Sequence, residues 1–361
     1  MTNRILMTGN EAIAEGAIQA GCDFYSGYPI TPQNELIAHM AKRMIEEGRI
    51  FIQAESEVSA VNMVFGASAA GARAMTSSSS PGISLKQEGI SYLAGCQLPC
   101  VIVNIMRGGP GLGNISPSQS DYFQATKGGG HGDYNCIVLA PSTVQEAFDL
   151  MPLSFELADK YRNPVIIMGD GMLGQIMEPV CLPAAGSRLS AEKRKPKTKN
   201  RKNWVLTGCK NRKPNVIISL YLKEGELEQF NKGLQRKYRQ IINQQQRWEG
   251  LFLDDARIIL VAYGTMARIA RSVVYRLRKK GKRIGLIRPI SLWPFPKKAF
   301  LPFLSHRIRY LVIEMSYGQM LEDVKLSVEG KARVDFLGRA GGGIPSETEI
   351  INKVKSLKSN V

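Results

Sequence analysis

Residues 21–40 read GCDFYSGYPITPQNELIAHM. Gly21 has the character of a helix stop, and Phe24-Tyr25 that of a short strand. GYPITP (27–32) is too rich in glycine and proline to extend that strand. Thr31-Pro32 reads as a helix cap followed by a first-turn proline. Leu36, Ile37 and Met40 then recur at helical spacing. A strand that passes through a tight loop into a helix is the repeating unit of an open α/β sheet.

The same alternation extends outward. Upstream, Asn10 reads as the cap of a helix bearing Ala12, Ile13, Gly16, Ala17 and Ala20. Downstream, strands are expected at Ile50–Ile52, Ala72–Thr76, Val101–Met106, Ile137–Ala140 and Pro164–Met168. Helices are expected over 57–70 and Gly82–Gly95, and from Thr143. Residues 1–180 therefore predict one mostly parallel α/β domain. Residues 181–250 change character: a basic, aperiodic stretch reads as a solvated linker, and a polar helix comes next over about 226–248. Residues 251–361 predict a smaller α/β domain. Its strands are expected at Ile258–Tyr263, Arg283–Ile287, Tyr310–Glu314 and Arg333–Phe336, with a helix opening at Gly264-Thr265.

Charge and cysteine content exclude several classes. The chain of 361 residues carries +17 overall, but residues 188–213 hold eleven Lys or Arg against one acid, which leaves +7 for the rest. A nucleic-acid groove would interleave aromatic side chains with those charges, and only Trp204 is there. The six cysteines form no CxxC pair, so zinc and iron–sulfur motifs are not expected on this chain. The N-terminal residues lack the apolar core of a signal peptide, and no run of about 18 apolar residues predicts a membrane span. A cytoplasmic protein is expected. A nicotinamide dehydrogenase would place GxGxxG after the first strand, whereas GGPGLG (108–113) comes after a later one.

Four glycine- or serine-rich loops fall where strands meet helices: Gly27–Pro32, Thr76–Gly82, Arg107–Gly113 and Gly128–Gly132. In an open parallel sheet the loops at the carboxyl ends of the strands converge on one crevice, so four in one domain predict a shared site. Gly169-Asp170-Gly171 with Asn200 mimics a magnesium-binding pattern. The spacer between them ends in EKRKPKTK, and magnesium disfavours a dense cationic surround, so the segment is assigned to a turn with no metal.

GYPITP (27–32), QAESEVSA (53–60), MTSSSSPG (75–82), RGGPGLG (107–113) and PSQSDYFQATKGGGHGDY (117–134) resemble the α subunit of 2-oxoacid:ferredoxin oxidoreductases. GLIRPISLWPFP (285–296) and EMSYGQMLEDV (314–324) are similar to the C-terminal domain of that subunit. The likeness covers nearly the whole chain and is strongest to the branch acting on 3-methyl-2-oxobutanoate. It implies a thiamine-diphosphate-binding domain of the pyrimidine type followed by a transketolase C-terminal-like α/β domain. It implies oxidative decarboxylation of a 2-oxoacid with coenzyme A to acyl-CoA and CO2, with reduction of ferredoxin. Pyruvate and 2-oxoglutarate are the alternative substrates. A β subunit is implied to carry the diphosphate and magnesium. Iron–sulfur clusters fall to β and a ferredoxin-like subunit, and a γ subunit completes the assembly.

Such chemistry needs one carboxylate on the pyrimidine, because a glutamate hydrogen-bonded to N1′ favours the imino tautomer that takes up the C2 proton. Glu55 and Glu57 compete on sequence alone, and a first-turn glutamate is also explained by the helix dipole. The resemblance selects Glu57. It likewise supports Arg107 as the clamp on the substrate carboxylate through its planar fork, and Thr31 as a donor to that carboxylate or to the keto oxygen; a surface ion pair and a plain helix cap are the alternative readings. Tyr28 and Pro29 are candidate cofactor-binding residues, and the hydroxyl run Thr76–Ser80, with Ser78 and Ser79, either lines the pyrimidine pocket or simply serves a turn. His39 and His306 read as structural, and His131 lies in a loop expected near the site. Tyr317, Gln319 and Met320 read as packing or subunit contacts.

Overall fold

The computed structural model describes residues 3–183 and 202–358. In chain order the first part runs β1 (Asn3–Thr8), α1 (Gly9–Gln19), β2 (Phe24–Gly27), α2 (Asn34–Glu46), β3 (Ile50–Gln53), α3 (Glu57–Ala69), β4 (Ala74–Ser78), α4 (Ser80–Gly95) and β5 (Cys100–Met106). It continues α5 (Tyr122–Thr126), β6 (Ile137–Leu139), α6 (Val144–Tyr161), β7 (Val165–Asp170), α7 (Gly171–Gln175) and β8 (Met177–Leu182). The second part runs α8 (Glu226–Gln244), β9 (Trp248–Leu251), β10 (Ile258–Val261), α9 (Gly264–Arg278), β11 (Ile284–Pro289), β12 (Ser291–Trp293), β13 (Arg309–Glu314), α10 (Gln319–Val328), β14 (Arg333–Gly338) and α11 (Glu347–Lys358).

The larger sheet has the order β12-β6-β7-β5-β4-β2-β3, and all its pairings are parallel except β12 on β6. CVIVNIM of β5 is buried along its whole length, as expected of a strand covered by helices on both faces. The smaller sheet, β14-β13-β10-β11-β9, is parallel apart from its edge strand β9. The α/β class with two parallel sheets agrees with the sequence pattern.

Several local expectations fail for identifiable reasons. Asn10 does not cap α1. Thr8 does, in a reciprocal capping box with Glu11, while Asn10 is buried within the first turn and donates to the Pro32 carbonyl at 2.8 Å and to Glu35 at 2.7 Å. Thr31-Pro32 does not open a helix. The peptide bond is cis, and α2 starts at Asn34. The sheet of β1 with β8, antiparallel, joins distant and short segments that local periodicity does not reveal. β12 leaves the second part of the chain to edge the first sheet, a long-range pairing of three residues. Most of the basic linker (184–201) lies outside the described residues. At its C-terminal end, Trp204 is stacked under Arg162, Val205 is buried, and Leu206 donates its N–H to the Ala69 carbonyl. That part of the linker is packed rather than solvated.

The two parts are fastened by buried polar contacts. Arg288, 2% exposed, reaches Glu146 of α6 and Glu249 of β9 at 2.7 and 2.9 Å. Tyr122 donates to Asp323 at 2.6 Å, and Gln119 exchanges backbone and side-chain bonds with Tyr263 and Met315. Glu314, buried at the end of β13, accepts from Ser316 and from the first amides of α10, Met320 and Leu321. The segment EMSYGQMLED therefore clamps the loop 118–123: Gln319 bonds the Ser120 carbonyl and the Phe123 N–H, and Met320 is buried. Tyr317 takes no part in this and is 81% exposed.

Candidate active site

The loops after β2, β4 and β5 leave neighbouring strands at the same edge, so they meet. The loop after β2 is held from beneath. The Tyr25 hydroxyl lies 2.6 Å from Ser77 Oγ, Ser77 donates to Gln33 Oε1 at 2.6 Å, and Gln33 donates to the Tyr28 carbonyl. Gly27 is needed for this packing, since a Cβ there would lie 2.4 Å from the Tyr25 oxygen. Tyr28 and Pro29 stand exposed at the rim.

Glu57 is the first residue of α3, capped by Ser56, and only 7% exposed. Its carboxylate lies over Gly82 in the first turn of α4. A Cβ at Gly82 would come within 2.6 Å of Glu57 Oε1 and 2.0 Å of Ser78 Oγ. The hydroxyls of Ser78 and Ser79 are buried there without hydrogen-bond partners. Buried hydroxyls are normally satisfied, so these two are groups that a ligand can complete. The competing Glu55 is exposed, and Ser59 donates to its carboxylate. Beneath Glu57 sits Lys86, fully buried, donating to the Glu57 carbonyl at 3.3 Å and to Thr76 Oγ1 at 3.0 Å.

Arg107, at the end of β5, is 7% exposed. Its two terminal nitrogens donate to the carbonyls of Thr31 (2.8 Å) and Leu112 (3.1 Å), and its Nε has no partner. Among the described residues no carboxylate lies within ion-pair distance of it. A buried guanidinium resting on two carbonyls retains capacity for an anion. Thr31 and Arg107 are thus brought together, though through the threonine carbonyl. The Thr31 hydroxyl accepts a long contact from Asn34. Ser80 links this arginine to the loop around residue 121: its Oγ accepts the Arg107 N–H and donates to Asp121 at 2.6 Å, and Asn104 donates to the same carboxylate oxygen at 2.8 Å. Burial raises the Asp121 pKa, and the Ser80 and Asn104 bonds counter that in part.

Other expectations resolve differently. His131 is exposed, and its carbonyl accepts from Ser91. Ser91 lies nine positions along α4 from Gly82, about 13 Å at 1.5 Å per residue, so the Gly128–Gly132 loop covers the far half of that helix rather than the first turn. His39 bonds Glu15, consistent with a structural role, and His306 is exposed. Gly169 and Asp170 are in β7, not a turn. Asp170 caps α7 through the Met172 and Leu173 amides and accepts from Thr265, and Asn200 lies outside the described residues. Cys22, Cys96, Cys100 and Cys136 are free and buried, Cys181 is partly so, and Cys209 is exposed.

Lys86, Asn104 and Asp121 were not singled out from the sequence. Lys86 carried one usable signal. It lies one helical turn from Gly82 and a further three residues from Gly89, where a Cβ would strike Val61 of α3, so a lysine occupies a face too closely packed for solvent.

Comparison with known proteins gives a consistent picture. The profile of a family described as pyruvate flavodoxin/ferredoxin oxidoreductase, thiamine diphosphate-binding, matches residues 15–240, and pyruvate:ferredoxin oxidoreductase core domain II matches 256–350. Ketoisovalerate oxidoreductase subunit VorB of Methanothermobacter thermautotrophicus is 47% identical over 352 residues, covering 98% of this chain and 97% of the relative. A solved structure of 2-oxoglutarate:ferredoxin oxidoreductase from Magnetococcus marinus, with 2-oxoglutarate, coenzyme A and succinyl-CoA bound, superposes with a TM-score of 0.86 at 26% identity. That match covers 98% of this chain and 65% of the other. A split-gene transketolase, 12% identical over 97% of each chain, shares the fold with a TM-score of 0.57.

Proposed function

The chain belongs to the pyruvate flavodoxin/ferredoxin oxidoreductase family, and from that premise we propose that it carries the pyrimidine side of thiamine diphosphate in an enzyme that oxidatively decarboxylates 3-methyl-2-oxobutanoate. It is an oxidoreductase subunit of the thiamine-diphosphate, 2-oxoacid type. Coenzyme A is the acyl acceptor and ferredoxin the electron acceptor in this reading. The observation that carries it is the cradle at the start of α3. Glu57 is buried over a glycine whose Cβ would strike its carboxylate, beside two unpartnered serine hydroxyls.

That cradle suits an aromatic ring with polar edges. Glu57 would hold the protonated ring nitrogen, and Ser78 and Ser79 would bond the remaining edge, with Tyr28 and Pro29 closing the rim. When bound, thiamine diphosphate supplies a carbon nucleophile and an electron sink for decarboxylation. Arg107 would pair with the substrate carboxylate through the capacity its carbonyl contacts leave free, and Thr31 fixes that guanidinium. The 47% identity to a ketoisovalerate oxidoreductase subunit favours a branched-chain substrate over 2-oxoglutarate or pyruvate.

The assembly we infer places the diphosphate and magnesium on a β subunit, iron–sulfur clusters on β and a ferredoxin-like chain, and a γ subunit beside them, in the cytoplasm. Among the described residues no group of three or more His, Cys, Asp or Glu side chains is placed to hold a metal, and no helix is long and apolar enough to cross a membrane. The test is to purify the complex from its native host and compare kcat/KM across 2-oxoacids. The highest value is expected with 3-methyl-2-oxobutanoate. Preference for 2-oxoglutarate would overturn the substrate assignment, and absence of any thiamine-dependent 2-oxoacid turnover would overturn the whole reading.

A further inference from the structure

Lys86 is a charged side chain in a place that disfavours charge. Its side chain is 0% exposed and lies between α3 and β4. Its nitrogen has two partners, the Glu57 carbonyl and the Thr76 hydroxyl, and neither is an anion. Among the described residues it forms no ion pair. A lysine buried in this way costs stability, and an apolar residue of similar length would pack there more cheaply. Lys86 stands one turn after Gly82 on α4, and the Glu57 carboxylate lies over Gly82. The buried cation and the buried carboxylate therefore flank the same turn.

We propose that Lys86 is a positioning residue for Glu57, a solvent-excluded cation that pins the first turn of α3 through the Glu57 carbonyl and supplies the positive field in which the Glu57 carboxylate acts. The proposal rests on the role assigned to Glu57 above. It explains why a costly group is kept next to the cofactor cradle, since functional sites commonly carry groups that lower stability. Burial holds the ammonium pKa down to about 7, against the opposing pull of the Glu57 charge. From α3 the group facing Lys86 is Glu57, and from β4 it is the Thr76 hydroxyl. On α4 itself Glu88 is turned outward to Tyr92. The charge on Lys86 thus changes near neutral pH with Glu57 as its electrostatic partner.

Stability and chemistry should then respond in opposite directions. The folded-state pKa lies below the ordinary lysine value of 10.5. Between about 7 and 10.5 the unfolded chain binds a proton that the folded chain has lost, so this group makes stability rise with pH across that window. Lys86→Met keeps the length and removes the charge. It should raise the melting temperature of the full chain at pH 7 by a few degrees and abolish that rise.

The experiment measures exchange of the thiamine C2 proton, by quenched NMR without substrate, in the complete assembled enzyme from pH 6 to 9. Lys86→Met, Lys86→Gln and Glu57→Gln are compared with the wild type. Lys86→Met should slow exchange by roughly tenfold or more, the equivalent of about one pKa unit of lost interaction, and should remove an inflection near neutral pH. Lys86→Gln keeps a hydrogen-bond donor without the charge and should behave alike. If Lys86→Gln retains wild-type exchange, the field is not what Lys86 supplies. If Lys86→Met destabilises the chain and leaves the pH profile unchanged, Lys86 is only structural. Either result overturns the proposal while Glu57→Gln still slows exchange by about 10²-fold or more. If Glu57→Gln exchanges at the wild-type rate, the underlying reading of Glu57 fails first.

Discussion

Gly82→Ala separates the activity of the cradle from its stability. The added methyl would lie 2.0 Å from Ser78 Oγ and 2.6 Å from Glu57 Oε1. Glu57 Cγ would also lie 2.9 Å away, so Ser78 must change rotamer and the Glu57 side chain must shift as a whole and not only at its carboxylate. A retreat to the 3.4 Å of ordinary contact takes the Glu57 oxygen roughly 0.8 Å away. Displacing two side chains from their rotamer wells costs about 0.5–1.5 kcal/mol each. Replacing a helical glycine by alanine returns about 0.5–1 kcal/mol. The net change in stability should be a modest loss, between about 0 and 2.5 kcal/mol. The functional cost should be far larger, because a misplacement of about 1 Å at a reacting group can lose on the order of 10²-fold in rate. Thermal melting of the chain and kcat of the assembled enzyme, measured on the same preparation, give the two numbers. Full activity in Gly82→Ala, or an activity loss no greater than the loss of folded protein, would refute the reasoning.

Other consequences are narrower. Arg107→Lys keeps the charge but loses the planar fork, so KM for the 2-oxoacid should rise by roughly tenfold or more while the apparent affinity for thiamine diphosphate is unchanged in a cofactor titration. The Glu15 carboxyl is burdened by burial, yet the bonds from His39, Arg43 and Gln19 outweigh that and lower its pKa to about 2 from 4.5. Its contribution, on the order of 3 kcal/mol, is present above about pH 4.5 and lost as pH falls toward 2. Glu15→Gln should therefore lower the melting temperature at neutral pH and flatten the acid limb of the stability profile. Arg288→Met removes the buried cation that ties Glu146 to the second sheet; Glu249 keeps Arg271 and Glu146 keeps Ser142, so the cost in urea unfolding should be about 1.5–3 kcal/mol, first seen as loosening of the second sheet from the first.

The parts of the fold that were legible in the sequence are those specified locally. The apolar, β-branched run at 101–106 was expected as a strand and lies within β5, and the helices expected over 57–70 and 82–95 are α3 and α4. β1 with β8 and β12 with β6 were not legible, because a short strand acquires its identity from a partner far away in sequence. Thr31-Pro32 misled for a related reason: the dipeptide suits a helix start, but here the turn is fixed by tertiary bonds from Asn10 to the Pro32 carbonyl and from Arg107 to the Thr31 carbonyl. At the candidate site the glycine loops and the ESE motif were visible. The choice between Glu55 and Glu57 came from family resemblance, and the structure adds that one is exposed and the other buried. Lys86 was missed because a lysine in a helix reads as a solvent-facing residue until both neighbouring layers are known.

The central claim is that Glu57 activates the thiamine ring, and proton exchange at thiamine C2 tests it without any substrate, electron acceptor or product step intervening. Glu57→Gln is nearly isosteric, so folding and assembly should be preserved. In the assembled enzyme it should slow exchange by about 10²–10⁴-fold, the usual range for loss of acid–base assistance, while Glu55→Gln exchanges as the wild type does. Exchange at the wild-type rate in Glu57→Gln, with the cofactor shown to be bound, would contradict the account.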